Sequence, residues 1–347
     1  MRPFTQLTKQ GQVRRLRQLA INVLPHYNLA DATLKFLQHG ENTTFRVKTN
    51  PSGLTNGPFL DGHYLLRIHG ASHNTTAQIN AEQVWLKALR DDIGLAVPEP
   101  LFVQTNNSFI IESAAPGVPT PHTCSILRWL RGRLYDAPKP YHMEKVGALM
   151  AHLHNHARQW QPPAHFTRRR WDWEGLFGDN AGFGVDGATV WSMLPTQYHD
   201  AFRTVADQMA QAMQTLGESN EVFGLIHADL HFGNVLFADG EARAIDFDDC
   251  GFGYWIYDVA TTLEDWRTSP EWPMWRDALL KGYGNIGNIS HDQMAYLDTF
   301  IVGRSVSIGL WAVAQAIEKP NFRANLDRWL TNIAKLVELH LQDKLPS

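Results

Sequence analysis

The sequence predicts an α+β protein, with a small β-rich N-terminal part followed by a larger, mainly helical C-terminal part. Short apolar runs separated by Gly, Pro and Asn predominate in the first ~130 residues and are typical of strands and turns. Long segments whose apolar residues share one helical face follow them. We therefore expect two domains, at residues 1–130 and 131–347, with one strand hairpin inside the helical part.

The N-terminal part is predicted to contain five strands, one internal helix and one preceding helix. Apolar residues from Thr8 to Leu24 share a helix face, and Pro25 is expected to end that helix. The internal helix is expected from Thr76 to Leu89, and a polar surface loop from Thr49 to Gly62. The strands are expected at Leu34–Leu37, Thr44–Val47, Tyr64–Ile68, Ser108–Ser113 and Ser125–Trp129.

The C-terminal part is predicted to be mainly helical. Its apolar residues recur at the three- and four-residue spacing of an amphipathic helix, except between residues 227 and 249, where a hairpin pattern interrupts. The expected helices are Tyr141–His156, Gln197–Leu216, Tyr257–Asp265, Trp272–Gly282, His291–Ile317 and Phe322–Leu341.

The composition indicates an ordinary soluble protein. Hydrophobic residues make up 44% of the 347 residues, and charged residues 19%. We expect no apolar run to approach the roughly 20 residues of a membrane helix, and the N-terminus lacks a signal-peptide pattern. Cys124 and Cys250 form no metal-type pair, so a reducing cytoplasm is expected. The net charge of −4 favours no nucleic-acid partner, and the oligomeric state stays open.

The segment His227–Asp249, HADLHFGNVLFADGEARAIDFDD, contains the interrupting hairpin. Val235–Phe237 is expected to form a short strand, and the Asp-Gly pair at residues 239 and 240 is a turn signal. Glu241–Ile245 is expected to return as the second strand. The two ends of such an antiparallel hairpin come together, so the residues just outside the strands should be neighbours.

Three polar side chains are placed by this hairpin. Asn234 precedes the first strand and Asp246 follows the second, so an amide oxygen and a carboxylate should lie side by side, as Mg²⁺ prefers. Asp229 lies in the loop that enters the hairpin, where it can accept a proton from a substrate hydroxyl. A base followed by metal-binding groups in this order is the set of parts that phosphoryl transfer needs.

These residues resemble the catalytic segment of protein-kinase-like folds, and more closely that of the aminoglycoside phosphotransferase, choline kinase and type II homoserine kinase superfamily. Its loop reads H-x-D-x-H-x-x-N and its metal motif I-D-F-[DE]; this chain has HADLHFGN and IDFDD, with His231 at the second His. A protein kinase more often has Arg, Lys and Gly at Ala228, His231 and Asp248. The resemblance implies a two-lobed protein-kinase-like fold, bound ATP and Mg²⁺, and phosphate transfer to a small-molecule hydroxyl.

The resemblance also implies roles within the catalytic segment. Asp229 is the expected base, and Asn234 and Asp246 are the expected metal ligands. If residues 246–248 are extended, alternate side chains face one way, and Asp248 reaches a second Mg²⁺; a salt bridge elsewhere is the alternative. Residues expected to support the loop are His227, His231 and Asp258.

On the nucleotide side, the resemblance implies three features of the first lobe. Arg67 stands where Lys is usual on the third strand, and it should contact phosphate with Glu82 as its ion-pair partner. Trp129 and Arg131 lie at the expected crossover, whose backbone would bond the adenine edge. The turn between the first two strands should offer backbone amides to phosphate, at Gly40, Glu41, Asn42 and Thr43.

The sequence leaves the acceptor open among an aminoglycoside, an amino alcohol, homoserine and a sugar-like molecule. Glu264 and Asp265 could receive an aminoglycoside or another cation, whereas Arg168–Arg170 could hold the carboxylate of a homoserine-like substrate. Two other activities remain as alternatives: a bacterial stress-response Ser/Thr protein kinase of the same fold and a catalytically silent nucleotide-binding protein. A histidine cluster lies at His152, His154 and His156. We expect it to bind no zinc, because no third ligand is placed on the same helix face.

Overall fold

The structure is a computed structural model that describes residues 2–53, 57–70, 74–136 and 138–346. The chain forms two compact units. The first is made of Met1–Gly132 and Pro162–Thr167, and the second of Arg133–Gln161 and Arg168–Ser347. A five-stranded sheet organises the first unit and helices dominate the second, which confirms the α+β prediction.

The sheet of the first unit is antiparallel throughout, in the order β1-β2-β3-β5-β4. Its strands are β1 (Thr33–His39), β2 (Thr43–Lys48), β3 (Phe59–Ile68), β4 (Ile110–Ser113) and β5 (His122–Leu130). The strand β3 begins five residues before the predicted Tyr64, so the predicted loop Thr49–Gly62 is too long. A register shift before Tyr64 and the φ of 69° at Gly62 break the alternation that sequence reading relies on.

Two helices accompany this sheet, α1 (Lys9–Val23) and α2 (Thr76–Ile93). The buried face of α1 joins strand residues in one apolar core, which contains Leu19, Val23, Phe45 and Leu66. The expectation that Pro25 ends this helix is confirmed, because α1 stops at Val23 with Leu24 as its C-cap. A 3₁₀ helix continues through Tyr27, because Pro is tolerated in the first turn of a helix, and left-handed Asn28 ends it.

The second unit contains nine helices among the residues that the structure describes. The predicted helix His291–Ile317 is two helices, because the backbone of Tyr296 departs from helical geometry between them. The short helices α4, α5 and α9 have no counterpart in the sequence prediction as separate elements. The nine helices are α3 (Pro140–Gln159), α4 (Trp173–Phe177), α5 (Gly187–Met193), α6 (Thr196–Leu216), α7 (Trp255–Leu263), α8 (Trp272–Gly284), α9 (His291–Met294), α10 (Leu297–Glu318) and α11 (Pro320–Leu341).

The helix α10 lies in the core of the second unit. Its 22 residues are long and apolar enough to cross a membrane by length and composition, so the expectation that no segment approaches this length is wrong. An apolar stretch of 18 residues within α10 is 72% buried inside the protein, as is common for a core helix. Burial against neighbouring helices therefore accounts for its composition.

Five short strands complete the second unit. The hairpin strands are β8 (Val235–Ala238) and β9 (Glu241–Ala244), as predicted, and β6 (Arg170–Trp171), β7 (Phe223–Ile226) and β10 (Gly251–Tyr254) form a second sheet that was not predicted. The antiparallel pairing of β7 with β10 places Ile226 opposite Gly251. A Cβ at Gly224 would lie 2.1 Å from the Trp255 ring, so only glycine fits there. This pairing joins the two strands that flank the segment His227–Asp249, which we call the catalytic segment.

Candidate active site

The catalytic segment leaves β7, forms the hairpin and returns to β10. Within the hairpin, Val235 pairs with Ala244, and the Ile245 N–H donates to the Asn234 carbonyl at 2.9 Å. Asp246 is the next residue, so Asn234 and Asp246 lie at the same open end. The hairpin turn thus brings these two predicted ligands to one end.

The Asn234 amide and the Arg304 guanidinium each hold one carboxylate oxygen of Asp229. The Asn234 Nδ2 donates to Oδ2 at 2.8 Å and to the Asp229 carbonyl at 3.0 Å. The Arg304 Nη2, from α10, donates to Oδ1 at 2.9 Å. The Asp229 side chain is still 27% exposed, so the carboxylate is fixed in place and accessible. This is what a general base requires.

His231 lies beside the same carboxylate. Its Nδ1 accepts the Gly233 N–H at 3.0 Å, which leaves the proton on Nε2, 3.4 Å from the Asp229 Oδ2. The hydrogen bond to Asp229 raises the pKa of His231 above its ordinary value, against the effect of partial burial. His231 therefore contacts the Asp229 carboxylate directly, in addition to shaping the loop.

His227 connects the loop that carries Asp229 to the loop that carries Asp246. Its Nδ1 accepts the Asp229 N–H at 3.3 Å, and its Nε2 donates to the Ile245 carbonyl at 3.1 Å. The ring packs against Phe247, with 4.5 Å between ring centroids. Because both nitrogens are used, His227 orders the two loops and has no nitrogen left for substrate chemistry.

Asp258 supports the loop from α7. Its two carboxylate oxygens accept the N–H groups of His227 at 3.0 Å and Ala228 at 2.7 Å. Ala228 has a φ of 67°, a left-handed conformation that costs free energy in a non-glycine residue. The buried carboxylate thus fixes a strained turn immediately before the base.

His154, in the histidine cluster, lies behind Asp258. Its Nε2 contacts the Asp258 Oδ2 at 3.1 Å, and its Nδ1 lies 3.0 Å from the Tyr283 hydroxyl. Burial lowers the pKa of His154, more than the carboxylate raises it, so the ring is neutral. A buried chain of hydrogen bonds from α8 through α3 to α7 therefore supports the catalytic loop.

Residues 246–249, which we call the metal loop, are not extended as the sequence analysis considered. Asp246 is exposed with a φ of 62°, and Phe247–Asp249 form a short 3₁₀ turn. Strand alternation therefore does not place Asp248 beside Asp246, and Asp248 is buried with 7% exposure. The Arg168 guanidinium donates to the carbonyls of Asp248 and Cys250 and holds this turn.

The nucleotide-side residues lie in the first unit. The Gly40 N–H donates to the Asn42 carbonyl in the turn between β1 and β2, and the Asn42 Oδ1 accepts the Gly70 N–H at 3.1 Å. Thr43 is buried, with its hydroxyl 2.7 Å from the His39 Nδ1. The turn that includes Glu41 is therefore anchored at both ends, as a phosphate-binding turn would need to be.

Arg67 and Glu82 form the ion pair that the resemblance implied. The Arg67 Nη1 lies 2.9 Å and 3.2 Å from the two carboxylate oxygens. Their side chains are 4% and 0% exposed. The pair joins β3 to α2 and fixes the cation.

The two crossover residues make contacts within the first unit. The Arg46 guanidinium lies 4.5 Å from the centroid of the Trp129 ring, at the end of β5. The Arg131 N–H donates to the Pro58 carbonyl at 2.8 Å, and its side chain donates to the Gly57 carbonyl. These contacts fix the segment, and its adenine contact stays a prediction.

The two acceptor hypotheses are not equally supported by the second unit. Arg168 is bound to backbone carbonyls, and Arg170 is paired with Asp172 and Glu218. Glu264 is paired with Arg304 and Ser305, whereas Asp265 is exposed and makes no hydrogen bond or ion pair among the described residues. Trp266 lies next to it, with its ring centroid 5.2 Å from that of Phe232.

Arg304 is a site residue that the sequence analysis does not identify. Arg168, expected there as a substrate ligand, instead holds backbone carbonyls of the chain. Arg304 lies inside the apolar run IVGRSVSIGLWAVA, and one arginine in such a run indicates a buried partner. That signal cannot identify Asp229, which is 75 residues away in sequence.

An α+β fold whose hairpin presents a base, an amide and a carboxylate in this order defines a phosphotransferase of the protein-kinase-like class. The chain belongs to the APH phosphotransferase enzyme family, whose model matches residues 33–297. This match confirms the resemblance and the phosphotransferase prediction. It covers the catalytic segment and ends before Arg304.

Two curated relatives illustrate the similarity. Amicoumacin kinase of Bacillus subtilis (strain 168) is 23% identical over 250 residues, which cover 71% of this chain and 67% of that protein. Homoserine kinase of Janthinobacterium sp. (strain Marseille) is 28% identical over 233 residues, covering 63% and 64%. The chain therefore matches about two thirds of the length of each.

Solved structures confirm the fold over nearly the whole chain. A microcompartment-associated aminopropanol kinase superimposes with a TM-score of 0.78 at 24% identity, covering 94% of this chain and 98% of the other. The amicoumacin kinase hAmiN, in complex with AMP-PNP, Ca²⁺ and Ami, has a TM-score of 0.71 at 20% identity, covering 94% and 96%. The predicted protein-kinase-like fold is thus confirmed.

Proposed function

We propose that this protein is an ATP- and Mg²⁺-dependent kinase that phosphorylates the hydroxyl of a small amine-bearing alcohol. The observation that carries the proposal is the Asp229 carboxylate, which is fixed by a donor on each oxygen and still accessible. It lies in the H-x-D-x-x-x-x-N order of the family motif.

Asp229 orients the acceptor hydroxyl and takes its proton as the oxygen attacks the γ-phosphorus of ATP. The bond to the β-γ bridging oxygen breaks, and ADP leaves. The transition state is loose, so positioning contributes more than early proton removal. The contacts from Asn234 and His227 supply that positioning, because they fix the Asp229 side chain and backbone respectively.

The residues at the open end of the hairpin fit Mg²⁺. Asn234 uses Nδ2 on Asp229, which leaves its Oδ1 as an available oxygen ligand, and Asp246 presents an exposed carboxylate at the same end. Mg²⁺ commonly takes one or two such protein oxygens and completes its coordination with phosphate and water. When bound, the ion would neutralise charge on the β- and γ-phosphates.

In the first unit, Arg67 is the proposed phosphate cation. Glu82 holds one edge of its guanidinium, which keeps the charge in a fixed place. The turn of residues 40–43 is the proposed source of backbone amides, and its anchoring by Asn42 supports that role. Both assignments follow the family resemblance.

We propose an amine on the acceptor because the exposed acid Asp265 makes no hydrogen bond or ion pair among the described residues, while Arg168 and Arg170 are engaged by the protein. Trp266, the next residue in the chain, packs on Phe232, and aromatic rings suit an ammonium group. Relatives named as aminopropanol, amicoumacin and homoserine kinases support an amino-alcohol acceptor.

An acceptor panel tests the proposal. Purified protein with Mg²⁺–ATP is assayed for ADP release and for phosphorylated product by ³¹P NMR. The panel contains 1-amino-2-propanol, ethanolamine, choline, L-homoserine and an aminoglycoside, and propane-1,2-diol is the matched control without the amine. We expect turnover of an amine-bearing alcohol and none of the diol. Turnover of propane-1,2-diol equal to or above that of every amine-bearing alcohol would overturn the acceptor class.

The same experiment separates the two alternatives. Mg²⁺–ATP binding without turnover of any alcohol would favour a silent nucleotide-binding protein. Transfer of phosphate to Ser or Thr of a protein substrate would favour a protein kinase. In both assays Asp229→Asn serves as the inactive control.

We also propose that the protein works in the cytoplasm without a nucleic-acid or membrane partner. Both cysteines are buried thiols, which suits a reducing compartment. Recovery of the native protein in the soluble fraction after cell breakage is the expected result. Recovery with the membrane fraction would contradict it.

A further inference from the structure

The loop that carries the proposed base contains no arginine or lysine. Its residues, HADLHFGN, contain Ala228 immediately before the base and His231 two positions after it, and neither Lys nor Arg. The structure nevertheless places the guanidinium of Arg304 in contact with both Asp229 and Ala228. The Arg304 Nη2 donates to the Asp229 Oδ1 at 2.9 Å, and its Nη1 donates to the Ala228 carbonyl at 3.3 Å.

Arg304 is itself fixed by contacts on its other donors. Its Nε donates to the Glu264 Oε2 at 3.0 Å, and its Nη1 also donates to the Tyr257 hydroxyl at 3.2 Å. The Ser305 hydroxyl donates to the other Glu264 oxygen. Two carboxylates therefore share one guanidinium whose side chain is 11% exposed, and the planar fork has little freedom to rotate.

We propose that Arg304 is a positioning residue for the base, supplying from α10 a guanidinium that the loop itself does not contain. It fixes the Asp229 carboxylate through Oδ1 and the preceding left-handed turn through the Ala228 carbonyl, while Glu264 fixes Arg304 in turn. This inference rests on the proposed function. Arg304 lies beyond residue 297, where the family match ends, so the inference comes from this chain's own geometry.

The contact suits positioning because it restrains one carboxylate oxygen without covering the group. Asn234 restrains the other oxygen, and together the two donors define the plane of the carboxylate. A charge-assisted hydrogen bond is also roughly twice as strong as a neutral one. Loss of such a restraint displaces the base, and a displacement of about 1 Å can lower a rate by roughly 10²-fold.

Three substitutions test the inference. Arg304→Met removes the charge and fork at similar length, Arg304→Lys keeps the charge as a point donor, and Arg304→Ala leaves space for an added cation. The matched control is Arg267→Met. Arg267 is equally a buried arginine, paired with Asp298 at 2.6 Å and 2.8 Å, and it is not bonded to the base.

Each variant is assayed by single turnover with Mg²⁺–ATP and 1-amino-2-propanol, or with water as the acceptor if no alcohol of the panel reacts. Rates are expressed per folded molecule, and Mg²⁺–ATP affinity is measured on the same preparation. We expect Arg304→Met to fall roughly 10²-fold in rate with ATP affinity unchanged. Arg304→Lys should fall less, and Arg267→Met should lose stability without a matching loss of rate.

Added methylguanidinium should partly restore the rate of Arg304→Ala, whereas methylammonium, which lacks the fork, should restore less. A wild-type rate per folded molecule in Arg304→Met would overturn the inference. If that variant does not fold, Arg304→Lys decides, because a wild-type rate there shows that the fork is dispensable.

Comparison with Asp229→Asn separates this inference from the proposed function. If Asp229→Asn is inactive and Arg304→Met is fully active, only the role of Arg304 is wrong. If Asp229→Asn is also fully active, the base itself is wrong.

Discussion

Each of the two units contains a buried arginine that holds a carboxylate, and the two carboxylates differ in what they can still do. In the first unit, the Arg67 and Glu82 side chains are 4% and 0% exposed, so the pair is closed to solvent. In the second unit, the Arg304 side chain is 11% exposed, but that of Asp229 is 27% exposed. The Glu82 carboxylate holds its arginine in place, whereas the Asp229 carboxylate is held in place by its arginine.

The difference shows how one interaction can have two uses. A closed ion pair fixes a cation, and breaking it leaves an unpaired charge in the interior. An open pair leaves carboxylate lone pairs for another molecule, while the guanidinium determines where they point. Removing a member of the closed pair should therefore affect folding first, and changing the open carboxylate should affect turnover first.

The largest expected effect is on the open carboxylate. Asp229→Asn keeps the shape and removes the proton acceptor, so kcat should fall by about 10²–10⁴-fold while Mg²⁺–ATP affinity and Tm stay nearly unchanged. Single-turnover kinetics and thermal melting on one preparation measure this. Asp239→Asn, at the exposed hairpin turn, is the control and should leave the rate unchanged. A parallel loss of stability and ATP affinity would make Asp229 a structural residue.

The closed pair should respond in the opposite way. Glu82→Gln should lower the free energy of unfolding by about 3–5 kcal/mol, because the buried Arg67 guanidinium loses its contact with the Glu82 carboxylate. Urea denaturation measures the loss, and the KM for ATP should rise. The control is Glu99→Gln, which breaks a partly exposed pair with Arg128 and should cost only about 0–1 kcal/mol.

A double substitution sharpens that result. Arg67→Met combined with Glu82→Gln should cost less than the sum of the two single changes, by roughly 0.5–3 kcal/mol, because residues in contact are coupled. Strictly additive losses would mean that the two side chains do not act as a pair.

A third carboxylate, that of Asp258, is buried and binds the backbone immediately before Asp229. Asp258→Asn replaces one accepting oxygen by an NH₂ donor, so one of the two backbone N–H groups loses its charged acceptor and the free energy of unfolding should fall by about 1.5–3 kcal/mol. Because Ala228 loses its restraint, kcat should fall as well. Equilibrium unfolding and single-turnover rates are compared in the same variant. An unchanged rate per folded molecule would limit Asp258 to folding.

The smallest expected effect is a pH dependence from His231. Its pKa is raised in the folded protein by the Asp229 carboxylate, and the nearby charges also include Arg304 and Asp265. A raised histidine pKa contributes stability that is fully present below the unfolded pKa of about 6.5 and is lost as pH rises through the folded pKa. The Tm difference between wild type and His231→Asn should therefore be larger at pH 5.5 than at pH 9.

His152→Asn, on the exposed face of α3, controls for loss of an imidazole. A Tm difference that grows from low to high pH in His231→Asn would contradict the assigned contact.

Local patterns predicted much of this site because they depend on neighbouring residues. An Asp-Gly turn between two apolar runs was enough to place Asn234 and Asp246 at one end of a hairpin. The resemblance added the pair of Arg67 with Glu82, which the structure forms. Both results rest on signals contained in short stretches of sequence.

Other parts depended on contacts between distant residues. The strands β7 and β10 are four residues each, and the glycines in β10 weaken any strand pattern. The extended reading of residues 246–248 failed because Asp246 adopts a left-handed conformation. Arg304 could be recognised as unusual in its helix, but its partner is fixed only by how α10 packs in the core.

The pairing of β7 with β10 also has a consequence for chain entropy. Because Ile226 lies opposite Gly251, the intervening residues form a loop that is closed at its base, with the β8–β9 turn at its far tip. Loop-closure entropy grows only slowly, by about 0.6 kcal/mol for each doubling of length. Extra residues at the exposed Asp239–Gly240 turn should therefore cost little free energy. The chain can be lengthened at this turn while the loops that carry Asp229 and Asp246 keep their hydrogen bonds.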